Sequence, residues 1–197
     1  MSEHYNPLSY SLLRASSSYQ RPPQRLPERV TADSPATDVM TDFTKVAAIT
    51  MGPCATLDAA EQRMIASGVR LLLVTDQSNA ILGIITSTDL HGDRPLKYLQ
   101  EVGGKRGDIY LRDIMTAADK LEVLYMVDVE NARVGNVVET MKRMGRQHAL
   151  VVDLDDNKNQ IVRGLFSTTQ ISRQLGVNID TTEVAKTFAE LEAALTA

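Results

Sequence analysis

"GIITSTDL", residues 83–90, has a near twin in "GLFSTTQI", residues 164–171. In each, a glycine and a run of aliphatic or aromatic residues break at once into hydroxyls. Thr86, Ser87 and Thr88 precede Asp89 in the first; Ser167, Thr168 and Thr169 precede Gln170 in the second. The pattern reads as a buried strand handed to a helix start, where oxygen-bearing side chains accept from free backbone N–H groups.

The duplication extends upstream of both twins. Leu57, Ala60, Met64 and Ile65 recur at helical spacing and end at Ser67-Gly68; Leu71–Val74 then reads as a strand, residues 76–79 turn, and residues 80–85 return. Val134, Val137, Val138, Met141 and Met144 form a second apolar face ended by Gly145, followed by strands over 149–152 and 160–166. Met64 and Met141, Gly68 and Gly145, and Asp76 and Asp153 are each 77 positions apart, whereas Gly83 and Gly164 are 81 apart. The second hairpin loop is therefore expected to be four residues longer. Extended lead-ins are expected at Val46–Thr50 and Leu124–Val129.

A unit of about 60 residues buries little core by itself, and a lone two-stranded hairpin is marginal. Two copies packed sheet to sheet answer both problems and create two related clefts about a pseudo-twofold axis. The expected organisation is α/β, with a first repeat over residues 37–95, a linker over 96–112 and a second repeat over 113–176. Residues 1–36, rich in Ser, Pro and Arg, are expected as a flexible N-terminal arm. Residues 177–197 are expected as an amphipathic C-terminal helix, with Val184, Phe188, Leu191 and Leu195 on one face.

Composition narrows the function. A net charge of −4 over 197 residues argues against a nucleic-acid coat. No run approaches the roughly 18 apolar residues of a membrane span. Cys54 is the only cysteine, and His4, His91 and His148 are scattered, so no metal cluster is expected. The acidic stretch 153–159 lacks the glycine and glutamate of a calcium loop, having Lys158 and Gly164 in their places. Gly103-Gly104-Lys105 is followed by Arg106, not by the hydroxyl of a phosphate loop. No nucleophile is matched to a base. The reading is of a cytoplasmic, non-enzymatic protein.

With "DVMT" at 38–41 echoed by "DIMT" at 113–116, the doubled order resembles the tandem CBS domain, named after cystathionine β-synthase. The resemblance covers residues 38–176 and implies two tandem β-α-β-β-α repeats. It also implies a regulatory ligand containing adenosine (AMP, ADP, ATP or S-adenosylmethionine), a homodimer, and a protein partner that reads the ligand.

The resemblance implies site residues as well. Asp89 matches a ribose-binding carboxylate, Thr86 and Thr88 match hydroxyls facing ribose or phosphate, and Arg70 matches a phosphate contact. Met126, Gln147 and His148 of the opposite copy are expected beside the base. In the second copy Ser167 and Thr169 match, but Gln170 replaces the carboxylate, so this cleft is expected to be the weaker. Thr86-x-x-Asp89 and Ser167-x-x-Gln170 are also helix-capping arrangements. A module with empty clefts, used only for dimerisation or docking, is the alternative reading.

Overall fold

A computed structural model describes residues 24–180 together with Leu12, Arg14 and Ser17. The chain runs β1 (Thr41–Asp42), β2 (Thr50–Met51), α1 (Leu57–Ser67), β3 (Leu71–Thr75), β4 (Ile81–Thr86), α2 (Ser87–His91), α3 (Arg94–Val102) and α4 (Leu111–Ile114). It continues with β5 (Thr116–Ala117), β6 (Val123–Tyr125), α5 (Met126–Asn131), α6 (Val134–Met144), β7 (His148–Leu154), β8 (Gln160–Ser167) and α7 (Thr168–Leu175). The local signals explain the helix ends. Thr56 accepts from the Ala59 N–H at the start of α1. Gly68 and Gly145 close α1 and α6 in the left-handed conformation that glycine adopts without a Cβ penalty.

Two four-stranded sheets result, in the orders β2-β3-β4-β5 and β1-β8-β7-β6. Each repeat keeps its own central hairpin but borrows its outer edge strand from the other. Thr41 and Asp42, which precede the first repeat's hairpin, pair antiparallel with Leu165 and Gly164. Thr116 and Ala117, which precede the second, pair with Ile84 and Gly83. The "DVMT" and "DIMT" echoes end in these exchanged strands.

Strand alternation divides the core into three. Leu72, Val74 and Ile85 face α1 and Leu90 in the first repeat. Val151 and Phe166 face Val137 and Met141 of α6 in the second. Leu71, Leu73, Ile84 and Leu150 fill the space between the sheets, with Phe43, Ala48, Leu121, Val123 and Leu165 packed against them.

Several expectations change. The second hairpin does not have a longer loop. Asp76 and Asp155 each start a matching turn, with Asn79 and Lys158 at positive φ, and the Asp76 and Asp155 carboxylates accept from the Ala80 and Asn159 N–H groups. The four additional residues lengthen the strands instead: β7 has seven residues against five in β3, and β8 has eight against six in β4.

Residues 96–112 are not a solvated linker. They carry most of α3, and Ile109 and Leu111 are fully buried in the first repeat's core, with Tyr98 and Leu99 packed beside them. Alternating charges masked this apolar set in the sequence. The second lead-in is extended only as far as Tyr125, and Met126 opens a helix.

Residues 24–36, expected within the flexible arm, lie against the second repeat. The Val30 N–H bonds the Gln174 carbonyl, and the Gln174 amide donates to the Pro27 and Asp38 carbonyls. At the other end, residues 177–180 are not helical, and Ile179 is buried in the second repeat's core. The rest of the expected C-terminal helix, and most of the expected arm, lie outside the described residues.

Candidate functional site

The two strand-to-helix junctions differ in their contacts. At the first junction, Thr86 and Asp89 form a reciprocal cap: the Asp89 N–H donates to the Thr86 hydroxyl, and the Thr86 N–H and hydroxyl donate to Asp89 Oδ2 at 2.8 and 2.7 Å. The other carboxylate oxygen is also engaged. Arg94, from the first turn of α3, places Nη1 3.1 Å from Asp89 Oδ1. The same nitrogen donates to the Ile114 carbonyl at 2.8 Å and to the Thr116 hydroxyl at 3.0 Å. Asp89 is 12% exposed. A guanidinium thus stands against the carboxylate expected to receive a ribose. The Thr88 hydroxyl donates to Gln147 Oε1 at 3.3 Å, tying the junction to the opposite repeat.

At the second junction no such set of contacts forms. Ser167 makes no side-chain cap to α7, and Gln170 has only a long 3.4 Å bond from its amide to Gln174 Oε1. A cavity of about 470 Å³ opens here. Ser167, Thr169, Gln170 and Arg173 come to it from the second repeat, Phe43, Val46, Ala47 and Ile49 from the segment between β1 and β2, and Arg70 and Leu71 from the start of β3. His148, opposite Ser167 in the β7–β8 register, joins them.

Among the described residues, the side chains of Arg70 and Arg173 make no hydrogen bond or ion pair, and none that lines this cavity is acidic. His148 is only partly exposed; burial, and then the nearby Arg70 charge, push its pKa down to about 4, with Asp89 opposing. The imidazole is neutral at neutral pH.

The expected residues therefore divide. Thr86, Thr88, Asp89 and Gln147 meet at the first cleft; Arg70 and His148 line the second with Ser167, Thr169 and Gln170. Met126 reaches neither. It is 5% exposed and packs in the second repeat's core with Met141 and Phe166, at the first position of α5.

Sequence reasoning missed Arg94, whose five-residue separation from Asp89 carried no motif. It also missed Phe43, Val46, Ala47 and Ile49 as a cavity wall. That part needed the strand exchange, which brings the segment after β1 onto the second repeat.

The wall of the second cleft is anchored by charge. Arg163 on β8 donates from Nε and Nη2 to Asp42, at 2.9 and 3.2 Å, and from Nη1 to Asp153 at 3.0 Å. Asp42 is buried, and its bond to Arg163 holds its carboxyl well below the usual carboxylate range. The pair clamps β1, and with it the segment that follows, to β8.

Comparison with known proteins agrees with this architecture. Residues 36–92 match the model of the CBS domain. An uncharacterized conserved protein from Pyrococcus horikoshii superposes with a TM-score of 0.50 at 20% identity, over 72% of this chain and 92% of that one. The protein CBSX2 in complex with AMP gives 0.49 at 18%, over 71% and 94%. The CBS-domain protein ATU1752 from Agrobacterium tumefaciens gives 0.48 at 20%, over 64% and 87%. No curated protein sequence matches. The CBS-domain match thus falls on the first repeat, and the second repeat packs against it with the same hairpin and an exchanged edge strand.

Proposed function

We propose that this protein is a regulatory module that binds an adenine nucleotide between its repeats, in the cavity lined by Arg70, His148, Ser167, Thr169 and Gln170. That cavity is the observation that carries the reading. Its volume of about 470 Å³ falls within the roughly 300–1,000 Å³ of ordinary small-ligand sites. Val46, Ala47 and Ile49 supply apolar surface for a planar base, Ser167 and Thr169 supply hydroxyls, and two guanidinium groups, unpaired among the described residues, suit phosphate.

This moves the principal site from the Asp89 cleft to its pseudo-symmetric counterpart. The Arg94 contacts support that reassignment: a ribose at Asp89 must first displace a charged group that makes three contacts. Homodimerisation, a cytoplasmic setting and a protein partner that senses the ligand belong to the same reading. Signalling requires that the nucleotide bind two conformations unequally.

Calorimetric titration of the whole protein with AMP, ADP, ATP and S-adenosylmethionine tests it. Saturable binding of at least one, weakened about tenfold or more by Arg70→Ala, is expected from the loss of a charge-assisted bond. Absence of heat and of thermal stabilisation with all four leaves the docking-module reading. The internal occupancy of the Asp89 cleft specifically favours that second reading for that half of the molecule.

A further inference from the structure

Gln170 and Arg173 lie one helical turn apart on α7, and both line a second cavity besides the one described. This smaller space, of about 320 Å³, is bounded by Leu26, Pro27, Glu28 and Gln174. The two residues thus stand where the cavities meet. At the position where the other repeat has Asp89, an uncharged amide faces the ligand space, with an exposed guanidinium three residues on.

The electrostatic consequence is specific. A carboxylate at the ribose accepts from both hydroxyls but repels any anion attached to them; an amide with a neighbouring arginine does the reverse. The same exchange distinguishes dinucleotide sites for free and 2′-phosphorylated ribose, where an acidic residue gives way to arginine. Arg70 and Arg173 belong to different repeats and provide separate cationic points, and Ser167 and Thr169 add hydroxyl donors. Among the described residues, Glu28 is the one acidic group lining either space; it is exposed and lies within 4.0 Å of no basic side chain of that set.

We infer that this cavity selects nucleotides carrying a second phosphate on the ribose, through Gln170 and Arg173, over those with free ribose hydroxyls. The inference rests on the adenine-nucleotide reading and narrows its ligand class. The 5′-phosphate engages Arg70, while the ribose substituent lies beside Gln170 and Arg173 and extends toward the smaller cavity.

The test is a calorimetric titration of the full chain with AMP, ADP, adenosine 2′,5′-bisphosphate and adenosine 3′,5′-bisphosphate. ADP controls for phosphate number without ribose substitution. One bisphosphate is expected to bind about tenfold to a hundredfold more tightly than AMP and ADP, the effect of one charge-assisted contact. Arg173→Gln, on an exposed side chain, is expected to narrow that ratio below about threefold. Gln170→Asp is expected to reverse it; Gln170→Glu serves the same purpose if the aspartate variant does not fold.

AMP or ADP binding as tightly as both bisphosphates overturns this inference and leaves the nucleotide site standing. So does a ratio unchanged in Arg173→Gln. Failure of these four, and of ATP and S-adenosylmethionine, to bind folded protein removes the adenine-nucleotide reading itself, and the inference with it.

Discussion

Gly83 and Thr116 are so close that a β-carbon on the glycine would stand 2.3 Å from the Thr116 carbonyl oxygen; Gly164 and Thr41 repeat the relationship at 2.4 Å. These are the first residues of the twin motifs. Neither has the positive φ that makes glycine a conformational requirement. Both are glycine because the backbone of an exchanged edge strand passes where a side chain would be.

Gly83→Ala and Gly164→Ala should therefore each destabilise the fold by about 1–3 kcal/mol, the range for overpacking against something that cannot rotate away. Gly52→Ala, with nothing within 4 Å of the new carbon, serves as the control and should stay within about 0.5 kcal/mol. Urea denaturation measures all three. Equal midpoints would mean that the exchanged strands yield without cost.

Removing Arg94 should open the first cleft. Arg94→Ala frees Asp89 Oδ1 and the Thr116 hydroxyl while the Thr86–Asp89 cap remains. If the nucleotide reading holds, titration with AMP should then show a second, weaker binding event per chain. Asp89→Ala introduced on top of Arg94→Ala should abolish only that event. A titration unchanged by Arg94→Ala would show that the arginine is not what keeps the cleft closed.

The Asp42–Arg163 pair should be worth more than a surface bridge. Arg163→Met leaves a buried carboxylate served, among the described residues, by Thr44 and Lys45 alone, at a cost of about 3 kcal/mol. Combining it with Asp42→Asn should cost less than the sum of the separate changes, because the second substitution removes the stranded charge. The sign with pH follows from the lowered Asp42 pKa. Its contribution is complete above the unfolded value near 3.9 and is lost as the pH falls below that. An acid titration of thermal stability should thus be flatter below about pH 4 in Asp42→Asn than in the parent protein.

His148 works in a neighbouring window. Its folded pKa of about 4 lies below the unfolded value near 6.5, so protonation favours unfolding. Stability should fall between about pH 6.5 and 4, by on the order of 1–3 kcal/mol. His148→Gln should remove that slope without touching the Asp42 effect at lower pH. An unaltered pH profile in the variant would show that the imidazole ionises as freely in the folded protein as in the unfolded chain.

The duplicated core was legible because it is written in periodicity: helical faces ended by Gly68 and Gly145, aliphatic strands, and hydroxyls where strand meets helix. The strand exchange was not, since the two residues of β1 and of β5 carry no alternation of their own. Missing it had consequences at the site. Arg70, Gln147 and His148 were grouped by sequence analogy into one cleft, whereas the packed sheets send Arg70 and His148 to one side and Gln147 to the other. Asp89 was legible both as a cap and as a ribose ligand. Its geometry here is that of the cap, and the guanidinium that completes it lies on a helix hidden among alternating charges.

The borrowed edges also bear on biosynthesis. The first sheet stays unfinished on one side until Thr116 has emerged from the ribosome, and the strand at Thr41 has no neighbour until residue 164 follows. Arg163 reaches Asp42 across 121 positions. The first sheet can therefore close once residues 116–117 are available, whereas the second closes late, when residues 160–167 meet β1.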